Sequence, residues 1–572
     1  MTPFRRYAPF ALLVAAQIVL VIVAPSRGAS SANGPLGGDF TGAQPGVSAS
    51  PGALPPGSTQ AGGSGGASLG GSSSGSTGSG STGSGGAVTP STGSSGSTVV
   101  KRNGTSAPAS GTTTGKSVCV SGLLEHPPCV AQWAGGDNGG ATWQGVTDTS
   151  VTVVMYRPKD NAAVNAILRE TGTYIAPDAE REQFELVADW INKHYQLYGR
   201  KIKPVYVQGT CDIAPPKDSC FRSDADSLVA KYKPFAVFYD NDTNEAAFFD
   251  ELSRKGVVNW GGWGFADSFS TNLRPYHYDL FMGGDVQAEF AGSWYCRRLA
   301  GHKAQYAGDA GLRAKTRKVV VIYPDTPQTT PAAEHLEAII KKCAGSSAVV
   351  DGKYSSDTST AAQQATTNTA KYKAAGVTTS LWFSDPIAPA YGTKAAAAQN
   401  WNPENVLAGS GLLDYDALAQ TYDQGEWRHA FGPSDLGQTV NVDQVDAGKI
   451  WRAEGKSGSP NANANLLTTY ELSLASGIMA AGPKLTPLTY EYGLLTAPGY
   501  DEWSKWHDSR LVYLDWGRGD YTGISDIREV WYDPNRQSPT NGRNGAYVAL
   551  NGGRRYQLNQ IPSGEPSLPA GV

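Results

Sequence analysis

Apolar residues along this chain alternate between short continuous runs and runs with helical spacing. Residues 150–156 read SVTVVMY, which is typical of a strand buried on both faces. The stretch 176–198 has apolar side chains at helical spacing, among them Phe184 and Ile191, and Gly199 ends it. The predicted elements are strands at 150–156, 204–208, 235–239 and 257–261 and helices at 176–198, 223–232 and 244–255. Buried strands that alternate with amphipathic helices indicate a parallel sheet covered on both faces.

The same alternation restarts after a predicted helix at 285–299, with a buried strand run, KVVVIY, at 318–323. Further along lie predicted helices at 331–342, 360–374, towards Asn400 and at 466–479, and predicted strands at 347–350, 377–383, 406–407, 529–532 and 546–550. The predicted fold class is α/β, with two doubly wound parallel-sheet lobes, a hinge and a cleft between them. The predicted parts are a first lobe at about 150–284, a second lobe at about 285–430, a segment at about 431–562 that returns across the hinge, and a tail at 563–572.

The N-terminal region has the features of an exported protein. Arg5 and Arg6 precede an apolar run at 8–24, so residues 1–32 are predicted to be a signal peptide or an uncleaved signal anchor. Residues 33–116 are predicted to be a disordered Gly/Ser-rich linker, because 41–100 contain no Asp, Glu, Lys or Arg and little that could be buried. We expect an extracytoplasmic protein, secreted or held at the cell surface through this segment.

Charge and cysteine content narrow the classes further. With 47 Lys and Arg against 51 Asp and Glu, the formal net charge of −4 argues against nucleic-acid binding. An even number of cysteines in an exported chain suggests disulfides. The pairing that we prefer is Cys119–Cys129, Cys211–Cys220 and Cys296–Cys343, with other connectivities left open. A zinc site is the weaker alternative, because the chain has no C-x-x-C.

Polar and aromatic residues follow the predicted strands, where ligands bind in open α/β sheets. The candidate ligand-binding residues are Pro158, Asn241, Asp242, Thr243, Trp260, Trp263, Asp325, Asp385, Ser410 and Asp414. The alternative for the polar ones is ordinary helix capping. For the two tryptophans it is packing between the lobes, since indoles in a Gly-rich turn could stack on a ligand ring or on the other lobe.

The element order and the segment GGATWQGV at 139–146, preceded by Pro128 and Cys129, resemble the leucine-type (branched-chain amino acid) solute-binding proteins of ABC transporters, actinobacterial type. This resemblance implies the type I periplasmic-binding-protein fold, a small ligand held between closing lobes, and an ABC permease as partner. It implies that positions 241–243 and 260–263 take the ligand carboxylate, and that an acid in the turn at 409–412 takes the amine.

This chain departs from that pattern at both positions. Asp242 would repel an anion, and the turn Gly409-Ser410-Gly411-Leu412 has no carboxylate, so that Asp385 or Asp414 would have to replace it. The predicted ligand is therefore an amino acid, an aromatic compound or a sugar-like compound.

Motifs for catalysis are weak. The G-x-S-x-G at 71–75 lies in the predicted linker, and the seven histidines are scattered. We expect no enzyme activity, no cofactor and no metal. The leading hypothesis is a solute-binding protein of an ABC transporter, and the alternative is a surface-tethered ligand sensor or interaction protein with the same two-lobe fold.

Overall fold

The computed structural model describes residues 113–569 except 126, 173, 214–216, 240–244, 263, 410, 497–509, 511–513 and 515–520. The predicted leader and nearly all of the predicted linker lie outside these residues. The first described element is a strand that begins at Thr113, and the linker stays a prediction. Within the described part of the chain, no helix combines the length and the apolar character needed to cross a membrane.

The first lobe is built on a parallel sheet with the strand order β4-β3-β5-β6-β7. A separate antiparallel pair, β1 and β2, precedes it. The elements are β1 (Thr113–Val118), β2 (Val130–Trp133), β3 (Ser150–Lys159), α1 (Ala162–Thr171), α2 (Pro177–His194), β4 (Lys201–Asp212), α3 (Asp218–Tyr232), β5 (Ala236–Tyr239), α4 (Ala246–Arg254), β6 (Val258–Trp260), α5 (Asp267–Asn272) and β7 (His277–Tyr278).

The second lobe is built on an eight-stranded sheet with the order β14-β13-β12-β11-β10-β8-β9, and β15 pairs with β13. Strands β8 to β12 are parallel, and β13 is antiparallel to its neighbours. The elements before the chain returns are α6 (Gly284–Arg298), α7 (Ala310–Arg313), β8 (Val319–Pro324), α8 (Thr330–Ala344), β9 (Val349–Tyr354), α9 (Ala361–Ala374), β10 (Thr379–Trp382), α10 (Ile387–Ala398), β11 (Glu404–Leu407), α11 (Asp416–Ala419), α12 (Gln424–Trp427) and β12 (Ala430–Ser434).

The C-terminal segment contributes to both sheets. Helices α13 (Asp446–Ala453), α14 (Ala464–Ala481) and α15 (Pro487–Thr496) pack on the first lobe, and strands β13 (Ile527–Gln537), β14 (Asn544–Ala549) and β15 (Arg555–Tyr556) complete the second. Helix α14 is buried on nearly all sides, its few polar side chains included. Gly477 allows the close contact between α14 and α15, because a Cβ there would lie 2.4 Å from the Tyr490 ring.

The fold class predicted from the sequence is confirmed, and the differences lie at element ends and in short elements. The helix predicted over 176–198 ends at His194, because Tyr195 leaves the helical conformation and is extended, with φ −92° and ψ 147°. Strand β12 was not predicted from its sequence AFGPS, because glycine and proline disfavour strands. Helix α1 was also missed.

The structure joins the six cysteines as Cys119–Cys129, Cys211–Cys220 and Cys296–Cys343. The first two close short loops, with sequence separations of 10 and 9. The third ties α6 to α8 across a separation of 47 residues. This long-range bridge therefore restricts the unfolded chain more than the local ones do.

The disulfides give a graded prediction. Replacing both Cys296 and Cys343 by Ala should lower the free energy of unfolding by about 4 kcal/mol, whereas replacing both Cys211 and Cys220 should cost about 2.5 kcal/mol, because the longer loop leaves the unfolded chain more freedom. Urea unfolding of the two double variants under non-reducing conditions measures both. Equal losses would contradict a loop-length effect.

Glu471 on α14 gives a pH-dependent prediction. It is 3% exposed, its Oε1 has no hydrogen-bond partner, and burial raises its pKa well above the ordinary 4.5. The folded state therefore keeps its proton where the unfolded state has lost it. The stability that the protonated Glu471 side chain contributes is fully present below pH 4.5. It is lost as the pH rises towards the pKa of Glu471 in the folded state.

Glu471→Gln mimics the protonated form at every pH. We expect this variant to match the wild type near pH 4 and to be more stable at pH 7.5, as judged by thermal unfolding across that range. Glu182→Gln, at an exposed position on α2, is the control and should follow the wild type. If Glu471→Gln loses stability equally at both pH values, the argument is refuted.

Candidate functional site

The candidate site lies where the carboxyl ends of the parallel strands of both lobes carry their loops. Of the residues predicted from the sequence, Asn241, Asp242, Thr243, Trp263 and Ser410 lie outside the described residues. The structure places the other five at different kinds of position, and they do not form one cluster. Ligand contacts for the undescribed five stay predictions.

Trp260 is a correction. Its side chain is 0% exposed and belongs to the hydrophobic core of the first lobe. The indole stacks on Tyr278 with 5.4 Å between ring centroids, and its Nε1 donates to the Tyr490 hydroxyl at 3.1 Å. The returning helices α14 and α15 cover the end of β6 and leave no surface on this ring for a ligand.

Asp385 caps a helix, which is the alternative considered from the sequence. Its Oδ1 accepts from the backbone N–H groups of Ile387 and Ala388 at 2.8 and 3.1 Å, at the start of α10. Its other oxygen accepts from the Tyr354 hydroxyl. These three donors use much of the carboxylate's capacity for hydrogen bonds, so a ligand contact stays a prediction without structural support.

Asp325 and Pro158 lie at two further strand ends. The Asp325 side chain is 58% exposed and lies 3.4 Å from Lys353 Nζ. Pro158 is buried at the end of β3, and its carbonyl accepts from Gln208 Nε2 at 2.5 Å. Neither position is shown to contact a ligand.

Asp414 belongs to a buried cluster of acids and arginines beside the hinge. It is 3% exposed and accepts from the Ser434 hydroxyl at the end of β12. Burial raises its pKa above the ordinary value, with the charge of Arg528 acting in the opposite direction. An amine-binding role would need an exposed carboxylate, so the structure corrects this expectation as well.

Three segments of the chain cross between the lobes, and together they form the hinge. The crossing after β7 and the crossing before β13 run parallel, with Asp279 N–H donating to the Tyr521 carbonyl and Gly523 N–H to the Asp279 carbonyl, both at 2.9 Å. The third crossing leaves β12 at Asp435 and Leu436.

Arg555 on β15 joins the last two of these segments. Its guanidinium makes a bidentate pair with Asp526, at 2.7 Å for both contacts. It also donates to the Asp435 and Leu436 carbonyls at 2.9 and 2.8 Å. The planar, always charged guanidinium suits this fourfold contact, which a lysine could not reproduce.

A cavity of about 460 Å³, counted with the open space at its mouth, lies beside the start of α2, between that helix and the returning segment. Glu180 and Gln183 on α2, Trp451 on α13, and Asn461 are among the residues that line it. One Glu180 oxygen accepts from Arg157 at 2.9 Å and from the Tyr206 hydroxyl at 2.6 Å.

The second Glu180 oxygen and the Gln183 amide oxygen are buried without a hydrogen-bond partner. The wall of this cavity therefore has acceptors in excess. The sequence analysis missed both residues, because acids and amides near a helix start are read as ordinary first-turn residues.

The two lobes touch close to this cavity. The Tyr415 hydroxyl, in the second lobe, donates to Asn463 Oδ1 at 2.6 Å, just before α14 on the first lobe. Asn461, two residues earlier, donates to the Tyr174 carbonyl at 3.1 Å. This contact between the lobes thus lies one short loop away from the cavity wall.

Within the described residues, no group of three or more His, Cys, Asp or Glu could hold a metal ion.

Two α/β lobes joined by three crossings have the type I periplasmic-binding-protein fold, and solved structures match it. The fatty acid ABC transporter substrate-binding protein from Thermomonospora curvata has 13% identity and a TM-score of 0.50, covering 75% of this chain and 99% of that one. The periplasmic binding protein type 1 from Bordetella pertussis Tohama I has 13% identity and a TM-score of 0.49, covering 70% and 100%. A possible leucine/isoleucine/valine-binding protein from Rhodopirellula baltica SH 1 has 11% identity and a TM-score of 0.48, covering 70% and 96%.

No protein-family model and no curated protein matches the sequence. At 13% identity, the Thermomonospora curvata structure shows the fold of this chain and not its ligand.

The buried pair of Arg555 and Asp526 predicts how variants of the two residues change the free energy of unfolding. Arg555→Met should lower the free energy of unfolding by about 3–5 kcal/mol, because it removes the guanidinium that pairs with the fully buried Asp526 carboxylate. The double variant Arg555→Met with Asp526→Asn should lose less than Arg555→Met alone. Urea unfolding measures both.

The matched control is Arg181→Met, which breaks the exposed pair with Asp178 and should change stability by about 0.5 kcal/mol or less. A double variant that loses the sum of its single losses would show that the two side chains do not act as a pair.

Proposed function

We propose that this protein is an extracytoplasmic solute-binding protein that captures a small molecule between its lobes and delivers it to an ABC transporter. The observation that carries the proposal is the hinge, in which three crossings join two α/β sheets. A ligand that contacts both lobes favours the closed arrangement, because it gains contacts that are missing when the lobes separate.

The Tyr415–Asn463 hydrogen bond supports lobe closure as the working motion. It joins the loop that leads into α11 to the residue that precedes α14, so separation of the lobes would break it. A single hydrogen bond contributes on the order of 1 kcal/mol, which is small enough to form and break with the ligand.

The chemical class of the ligand is inferred from the residues that line the cavity at α2. The acceptor-rich cavity at Glu180 and Gln183 favours a compound that donates hydrogen bonds, and Trp451 offers an aromatic wall. The leucine-type ligand is disfavoured by the turn at 409–412, which has no carboxylate. We therefore propose an amine- or hydroxyl-bearing compound, with amino acids, aromatic compounds and sugar-like compounds as the classes to screen.

A tethered ligand sensor without transport is the second candidate. The observation that favours it is the uncharged stretch at 41–100, which would let the folded part stand away from an anchor at 8–24. Loss of uptake of the bound compound in cells that lack the protein supports transport. Unchanged uptake with retained binding favours the sensor.

Ligand binding should stabilise the folded part and bring the two lobes together. We expect a compound from these classes to raise the melting temperature of the folded part and to reduce its radius of gyration in solution scattering. Tyr415→Phe should weaken binding of that compound about fivefold, because the closed state loses one hydrogen bond.

Tyr232→Phe, at the end of α3, is the matched control and should bind as the wild type does. The proposal fails if no compound of the screened classes changes either the melting temperature or the radius of gyration at millimolar concentration.

A further inference from the structure

A second cavity lies wholly within the second lobe, between helices α9 and α10 and the sheet beneath them. Its volume is about 710 Å³, counted with the open space at its mouth. Strands β8, β10 and β11 supply the floor through Ile322, Trp382 and Asn405. No residue of the first lobe lines it, so occupation of this cavity does not need the lobes to close.

The walls of this cavity are aromatic. Trp382, Trp401, Tyr354, Tyr372 and Tyr391 all line it, and Tyr391 is 40% exposed at the surface. Gly392 lets one indole lie directly under α10, because a Cβ at this position would come within 2.6 Å of Trp382 Cη2. Faces and edges of rings on several sides are the surroundings that a flat ring compound prefers.

The protein itself satisfies the polar atoms of three of these rings. Trp382 Nε1 donates to Asn405 Oδ1 at 2.9 Å, and Trp401 Nε1 donates to the Val377 carbonyl at 3.2 Å. The Tyr354 hydroxyl donates to the helix-capping carboxylate of Asp385. Because these groups are already paired, the rings offer the cavity mainly their apolar surface.

Two hydroxyls in the wall are left over. Thr369 on α9 and Ser380 on β10 line the cavity and are 3% and 1% exposed. Neither hydroxyl has a hydrogen-bond partner within the described part of the chain. These two groups are therefore placed to bond to something inside the cavity.

The charge around the cavity restricts its occupant. No Lys, Arg or His is among the lining residues, which all belong to the described chain, while Asp357 and Asp385 are. A carboxylate ligand would find no countercharge there and would face two acids. The cavity therefore discriminates against the aromatic acids that its ring-lined walls would otherwise accept.

We propose that this cavity is a second ligand site, which binds an uncharged, hydroxyl-bearing aromatic compound of the phenol class. The ring lies among the tryptophans and tyrosines, and its hydroxyl bonds to Thr369 or Ser380. This site is separate from the contact region between the lobes, and it does not depend on the proposed transport function.

The test uses 4-methylphenol as the probe and 4-methylbenzoate as its anionic counterpart, with the exported chain in isothermal calorimetry. We expect a dissociation constant for 4-methylphenol on the order of 0.1–1 mM, which suits a fragment of its size, and binding of 4-methylbenzoate at least tenfold weaker. Equal binding of the two compounds would overturn the charge argument and the proposal with it.

Two alanines on one helix supply a matched pair of variants. Ala365 lines the cavity and Ala362 on the same helix is exposed. Ala365→Leu should abolish 4-methylphenol binding by filling the cavity, while Ala362→Leu should leave it unchanged. Binding that survives Ala365→Leu would place the probe elsewhere and refute the proposal.

Further variants separate loss of binding from loss of folding. Thr369→Val keeps the shape of the side chain and, combined with Ser380→Ala, should weaken 4-methylphenol about tenfold at an unchanged melting temperature. Unaltered affinity in this double variant would also refute the proposal. Tyr415→Phe, which acts on the contact between the lobes, should not affect 4-methylphenol, so the two sites succeed or fail independently.

Discussion

The buried guanidinium of Arg555 is the contact on which the two-lobe arrangement depends most directly. It binds the Asp526 carboxylate and two carbonyl groups of the crossing that leaves β12, all at 2.7–2.9 Å. A buried charge is tolerated only when its hydrogen bonds are complete, so the segments that carry these acceptors cannot move apart from one another without a large cost. Bending of the hinge must therefore occur around this contact and leave it intact.

The returning helix α14 imposes a second constraint. It packs against α2 in the first lobe, and its neighbour α15 places Tyr490 on the Trp260 indole. The first lobe thus completes its core with residues that come more than two hundred positions later in the chain. The same packing keeps the Trp260 indole from a ligand, because Tyr470 on α14 and Tyr490 on α15 cover that ring.

Much of the architecture could be predicted from local pattern, because buried parallel strands such as VVVIY in β8 have the same signature in any fold of this class. The misses have physical causes. Strand β12 contains glycine and proline, and it forms because β11 and β13 supply partners on both sides. The role of a polar residue after a strand depends on tertiary contacts. Asp385 became a helix cap and Asp414 a buried acid, and nothing in the adjacent sequence distinguishes the two.

The two cavities differ in chemistry in a way that bears on how such a protein could select its ligands. The cavity at α2 lies beside buried, unpaired acceptor oxygens near the contact between the lobes, and the cavity at α9 and α10 is lined by aromatic rings and two hydroxyls. Asp385 connects the second cavity to the strand ends, since it lines that cavity and also caps α10. Ser384, beside it, is close to the turn at 409–412, where a Cβ on Gly411 would come within 2.2 Å of the Ser384 carbonyl. A compound bound among the tryptophans would contact the second lobe alone. Selection there would therefore not depend on the contact between the lobes.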